Sequence, residues 1–360
     1  MLILIHEHVT GGGLAGEPLP PSLAREGWAM ERSIVDDFAR VNAVDRVVTT
    51  LDPRFAGRRH ELEASGKVEI VPVRPGEVDR LLRILAAECT AALVVAPETD
   101  GVLLERTRAV EESGTTLLGA TSRAVGCAGD KENFSNFCRS VSIPATLDKV
   151  VLIPLLASRT RGIPFTVVLK PRHGAGCRWT YRIPAGQPIG DAAKRAMADG
   201  APTEMVVGHW MDGIAASVSF LCGPRGRVPL PAGLQEIAGE SKLEYRGGRL
   251  PLAEPLRERA TALGDRVLSC LGYESGFVGV DLILNPSIAE IPQKLPDVVV
   301  ELNPRLTTSY VGLRALCEGN LAETWLSLFF PLDARPIAWK SGAVRFDCEG
   351  RIEAIDEALP

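Results

Sequence analysis

The 360 residues carry 40 Lys and Arg against 45 Asp and Glu, a net charge of −5, with 46% hydrophobic and 24% charged residues. That is the composition of an ordinary globular chain long enough for two or three lobes, and its acidic balance argues against nucleic acid as the main partner. No apolar run is long enough to span a bilayer, so no membrane partner is expected. Eight cysteines are scattered with no C-x-x-C pair, which points to reduced thiols in a cytoplasmic protein and away from a zinc knuckle.

The first third alternates strand and helix signals. Residues 1–5 are apolar and run straight into His6-Glu7-His8 with no basic leader, so a strand is expected there and not a signal peptide. Ser22 is placed to cap a helix passing through Trp28, Ile34, Val35 and Phe38. Strands are expected over 46–50, 67–73 and 91–96, and helices over 78–88 and 103–112. Such alternation predicts an α/β layer with a parallel sheet. The loop 97–101 then follows a strand's carboxyl end, where open sheets bind ligands.

Beyond about residue 120 the strands are expected over 165–170, 206–210, 216–222, 277–284 and 298–303, with helices over 255–271 and 322–329. Residues 343–355 resemble a hairpin turning at 348–350.

Two of these strands carry acids inside apolar runs. Asp281 interrupts Phe277-Val278-Gly279-Val280, and Glu301 and Asn303 follow Val298-Val299-Val300. Residues two apart share a strand face, and a buried carboxylate is costly without a cation. An Asp, a Glu and an Asn on two strands form a hard oxygen site of the kind that Mg²⁺ takes, with Mn²⁺ as a substitute. The alternative is two strand-end acids capped by backbone or Arg.

A strand ending in Lys170-Pro171 precedes Gly174-Ala175-Gly176, a loop whose backbone N–H groups could approach a phosphate. It is no Walker A loop, and Gly-x-Gly after a strand is also an ordinary hairpin. Lys131 opens a helical run, against the helix dipole, which hints at a nearby anion. Residues 11–16 fit G-x-G-x-x-G, but Pro18, Pro20 and Pro21 prevent a helix from running on directly, so a flexible loop is expected and not a dinucleotide site. His6-x-His8 supplies two nitrogens, too few for a zinc site.

In this order the segments resemble the ATP-grasp superfamily, whose fold joins an N-terminal parallel α/β domain to two subdomains that enclose ATP. The resemblance implies domains at 1–120, 121–205 (small subdomain with the phosphate flap) and 206–360 (large subdomain with the metal site and hairpin). It implies Lys131, Lys170, Gly174, Ala175 and Gly176 on the phosphates and Val207, His209, Trp210 and Met211 at the adenine hinge. Asp281, Glu301 and Asn303 would hold magnesium, and Arg305 with Lys170 would serve catalysis. Where relatives often carry a ribose-binding Glu this chain has Ala215, so either Asp212 takes the role or the ribose is held loosely. Within the superfamily, Glu301 to Leu313, Ala96 to Gly101, His6-Glu7 and residues 26–30 resemble the tyramine–L-glutamate ligases of methanofuran biosynthesis. That implies an acyl-phosphate ligase joining the side-chain carboxylate of glutamate to tyramine or a related amine. The substrate contacts implied are Glu98 for the ammonium with Glu7 in reserve, Arg305, Thr307 and Ser309 for the carboxylate, and Trp28 and Tyr310 either as an aromatic wall or as ordinary core. Other amino-acid ligases, carboxylases and a non-catalytic nucleotide-binding module remain alternatives, and a homodimer is compatible.

Overall fold

The computed structural model describes residues 1–174, 176–286 and 296–355. The N-terminal layer runs β1 (Leu2–Glu7), α1 (Pro21–Arg40), β2 (Arg46–Leu51), β3 (Val68–Pro72), α2 (Val78–Glu88), β4 (Ala91–Val95), α3 (Val102–Glu112) and β5 (Thr116–Leu117). Its five strands are all parallel in the order β3-β2-β1-β4-β5. Central β1 is covered on both faces, which is why Ile3, Leu4 and Ile5 are continuously apolar and fully buried. Ser22 does not cap α1. Pro20 is the cap residue and Pro21 takes the first helical position, where its missing N–H costs nothing. The glycine loop after β1 is packed and not loose: Val9 to Gly12 are buried, and a Cβ on Gly13 would collide with the His8 ring.

Next come α4 (Ser122–Ala128) and α5 (Lys131–Ser140), followed by a small lobe of β6 (Lys149–Leu152), α6 (Ile153–Leu156), β7 (Val167–Pro171), β8 (Thr180–Ile183), α7 (Ile189–Ala198) and β9 (Glu204–His209). The large lobe holds β10 (Ile214–Gly223), β11 (Gly226–Pro229), β12 (Gly233–Ala238), β13 (Lys242–Leu250), α8 (Leu256–Leu271), β14 (Gly276–Leu284), β15 (Val298–Asn303), α9 (Ser309–Leu316), α10 (Leu321–Ser327), β16 (Ala343–Asp347) and β17 (Ile352–Ile355). The main path of the second sheet is β15-β14-β10-β12-β13-β8-β7-β9-β6. The two lobes join through β13 and β8 over two residue pairs, Lys242 with Tyr181 and Leu243 with Thr180. The small lobe has its own core around Leu169, Tyr181 and Met205. The N-terminal layer instead shares one core with the large lobe: Phe38 and Ile5 belong to the same cluster as Phe277, Tyr310, Trp325 and Phe346. Position 120 thus lies between two sheets that share a core, and position 205 lies within β9, a strand of the small lobe. Among the described residues, no helix is long and apolar enough to cross a membrane, and all eight cysteines are free.

The polar end of β1 stores a pH dependence. Glu7 Oε2 accepts the Thr10 amide and hydroxyl, both at 2.6 Å, and the same hydroxyl bridges to Glu31. Burial pushes Glu7 up to about 7 and Glu31 up to about 8, although the Thr10 hydrogen bonds oppose it. On the other face, burial and then the Arg106 charge hold His8 down at about 4, and burial and His8 hold His6 well below the usual range. A carboxyl with a raised folded pKa favours the folded state below its unfolded value and loses that contribution as pH rises through the folded one. A histidine with a depressed pKa acts oppositely, favouring the fold above its unfolded value and losing it as pH falls. The opposing contributions cancel between the ordinary carboxyl value of 4.5 and the ordinary histidine value of 6.5, so thermal stability should be level there, fall as pH rises from 6.5 to about 8, and fall as pH drops below 4.5. Melting curves across pH check this, and Glu31→Gln should flatten the alkaline limb.

Candidate active site

A cleft of about 530 Å³ opens between the lobes, within the size range of small-ligand sites. Its floor is the acid strand pair. In the antiparallel register of β14 and β15, Asp281 faces Glu301 and Gly279 faces Asn303, so all three polar side chains project to one side. Asp281 Oδ1 accepts from Gln235 Nε2 at 2.9 Å and Oδ2 from Asn303 Nδ2 at 3.0 Å. Burial, then the Glu301 charge, pushes Asp281 up to about 7. Burial also works to raise Glu301, but the Lys131 and Lys170 charges outweigh it and hold this carboxyl low. Two adjacent carboxylates that share their charge so unequally fit a bound divalent cation, which would let both ionise. Among the described residues no three His, Cys, Asp or Glu gather to hold a metal. A cation here would complete its shell with Asn303, water and phosphate oxygens, as Mg²⁺ characteristically does.

Two buried lysines enter from the small-lobe side. Asp130 caps α5 by accepting the Glu132 and Asn133 amides at 3.0 and 3.1 Å, which fixes Lys131 at the helix start. Lys131 Nζ lies 3.2 Å from Glu301 Oε2 and donates to the Gly174 carbonyl at 3.1 Å. Lys170, near the end of β7, lies 3.0 Å from Asp148 Oδ2. Burial works to lower the Lys170 pKa, but Asp148 and Glu301 raise it overall. Asp148 was missed in the sequence, where it stands between Leu147 and Lys149 in no recognisable pattern. It is 1% exposed, and its Oδ1 has no hydrogen-bond partner. Gly174 and Gly176 line the cleft with positive φ of 150° and 65°. Ala175 lies outside the described residues.

At the hinge, His209, Trp210 and Met211 line the cleft after β9. The Val207 side chain packs instead into the small-lobe core. Asp212 is not on the cleft wall; its Oδ1 accepts from Trp210 Nε1 at 2.7 Å. Glu240 and Arg182 do line it, and the Arg182 guanidinium sits 4.8 Å over the Trp210 ring. Neither carried a signal in the sequence.

Past the metal-type acids stands Arg305, 8% exposed, whose Nε donates to Glu98 Oε1 at 2.9 Å and Nη1 to the Leu306 carbonyl at 3.0 Å. Glu98 is thus the counter-ion of Arg305 through Oε1, while its buried Oε2 has no hydrogen-bond partner. Thr307 and Ser309 line the cleft with hydroxyls 2.8 Å apart. Thr308 donates to Glu26 Oε1 at 2.5 Å. Glu7 lines a second, small cavity behind Arg305. The expected aromatic wall is core: Trp28 stacks on Phe55 with ring centroids 5.5 Å apart, and the fully buried Tyr310 donates to Asp37 Oδ2 at 2.7 Å.

Comparison with known proteins agrees with this architecture. A pre-ATP-grasp domain model matches residues 46–125 and an ATP-grasp domain model residues 140–309. The chain is 24% identical over 324 residues to a tyramine–L-glutamate ligase of Methanocaldococcus fervens, covering 89% of this chain and 92% of the relative. It is 23% identical over 317 residues to the enzyme of the same name from Methanocaldococcus jannaschii, covering 87% and 85%. A solved ATP-grasp superfamily protein from Archaeoglobus fulgidus superposes with a TM-score of 0.66 at 20% identity, over 96% of this chain and 92% of that one. With a parallel N-terminal layer, two lobes around a cleft and both domain models matched in order, this chain belongs to the ATP-grasp superfamily of ligases.

Proposed function

We propose that the chain is an Mg²⁺- and ATP-dependent carboxylate–amine ligase working through an acyl phosphate. The observation that carries this reading is a single cleft in which Asp281, Glu301 and Asn303 face two buried lysines and Arg305. Asp281, Glu301 and Asn303 would hold the cation, which when bound would supply positive charge to offset that developing on the transferred group. Lys131 and Lys170 neutralise the nucleotide phosphates. Arg305 has one guanidinium nitrogen left after Glu98 and Leu306 take the others, and it is offered to the phosphoryl group or the reacting carboxylate. Gly174 and Gly176 close over the phosphates and keep water from the activated acid. The acid carboxylate attacks the γ-phosphorus, ADP departs, and the amine then displaces phosphate.

For the substrates we favour the side-chain carboxylate of L-glutamate and tyramine, the pair in the names of the two curated relatives. Purified protein given MgATP, glutamate and a panel of amines should release ADP fastest with aromatic amines, and mass spectrometry should find the γ-amide. Equal rates with ammonia or alanine, or free replacement of glutamate by other acids, would reject the substrate pair and leave the ligase class standing.

A further inference from the structure

Strands β1 and β4 are neighbours in the first sheet, and the chain leaves them toward opposite edges, to β2 and to β5. The carboxyl ends of such a pair open a crevice that ligands occupy. Here the crevice is a cavity of about 30 Å³, walled by Val9, Leu23, Met30, Val95 and Pro97, with Glu7 among its lining. Glu26 and Arg305 line both this cavity and the main cleft, so they stand where the two spaces meet. Glu26 is half-buried on α1. Its Oε1 is held by Thr308, and its Oε2 lies 3.7 Å from where a Cβ on Gly176 would stand. It therefore bonds the large lobe and faces the glycine at 176 from the N-terminal layer. Of the other nearby acids, Glu7, held by Thr10, lines only the small cavity, while Glu98, paired to Arg305 through Oε1, and Glu31, held by Thr10 and Thr49, line neither space.

We infer that Glu26 receives the incoming ammonium and takes the proton that frees its nitrogen for attack, an assignment that rests on the ligase reading above. The ammonium gives one proton to the Glu26 carboxylate. The nitrogen lone pair then attacks the acyl carbon, the C–N bond forms, and the C–O bond to phosphate breaks with its electron pair leaving on phosphate. The second N–H proton departs with the phosphate. The surroundings also select the amine. With the Arg305 charge matched by Glu98, the Glu26 carboxylate leaves this junction net negative, which disfavours an amine that carries its own carboxylate. The favoured class is a primary amine without an α-carboxylate.

The test separates the two half-reactions. Hydroxylamine is already neutral at pH 7 and traps an acyl phosphate as a hydroxamate without a base. In Glu26→Gln the amine-dependent rate should fall on the order of 100-fold, while the hydroxamate rate should fall less than about threefold. The amine rate of the variant should recover as pH rises and free amine accumulates. Wild type should prefer tyramine to tyrosine, and Glu26→Gln should narrow that preference. Equal loss of both rates, or an unchanged amine rate, would overturn the assignment. Wild-type protein that forms no hydroxamate would instead sink the ligase reading, and this assignment with it.

Discussion

Lys170→Ala should lose ATP-dependent turnover by on the order of 10²- to 10³-fold, the loss expected when one preorganised group facing developing charge is removed. It should also destabilise the fold. Lys170 is 7% exposed and its partner Asp148 only 1%, so the alanine variant strands a buried carboxylate whose second oxygen already lacks a partner. Breaking a buried pair from one side costs about 3–5 kcal/mol. The double variant Lys170→Ala/Asp148→Asn separates the effects. It should recover most of the lost stability in urea denaturation and none of the turnover. A single variant with normal turnover would show that Lys170 does not serve the phosphates.

Glu301→Gln is expected to be as damaging to chemistry, because it removes both a proposed cation ligand and the counter-charge that Lys131 and Lys170 share. The wild-type site makes a second measurement available. Burial and the Glu301 charge raise Asp281 to about 7, so near neutrality this group is only partly ionised without a cation. A cation must drive the proton off, so binding should release protons and tighten as pH rises. Calorimetry of Mg²⁺ with a non-hydrolysable ATP analogue, in buffers of differing ionisation heat, measures that release. Asp281→Asn should abolish it. An unchanged release in that variant would place the cation elsewhere.

What was legible in the sequence was legible for a reason. Asp281, Glu301 and Asn303 stand inside apolar strands, where a polar residue needs an explanation. Lys170 and the glycines after it are punctuated by a strand end. Asp148, Gln235 and Glu240 sit in segments without a period, and Glu26, though on a predicted helix within the resembling stretch 26–30, carried no role there; only tertiary packing brings them to the cleft. The strands β12 and β13 escaped notice because charged residues such as Glu236, Lys242 and Arg249 interrupt them, and a bulge breaks their register between Glu236 and Ile237. Trp28 and Tyr310 were read toward the substrate because an aromatic with a polar tip suits both a pocket and a core. Glu61 and Asp37, which satisfy those tips, are remote from them in sequence.

The core shared between the first and last parts of the chain has a consequence for how the protein is made. The face of α1 that carries Trp28, Ile34 and Phe38 belongs to one cluster with Tyr310, Leu313, Trp325 and Phe346. Arg314 bonds Asp36 and Asp37 across the same seam. During synthesis from the N-terminus, the parallel layer emerges early and waits, with part of that face uncovered, for partners encoded nearly three hundred residues later. Contacts of such separation close slowly, and apolar surface left open in the interval invites misassociation. The small lobe, closed on its own core, has no such wait. A nascent chain stalled before residue 306 should thus carry a finished small lobe beside an N-terminal layer that still depends on a chaperone.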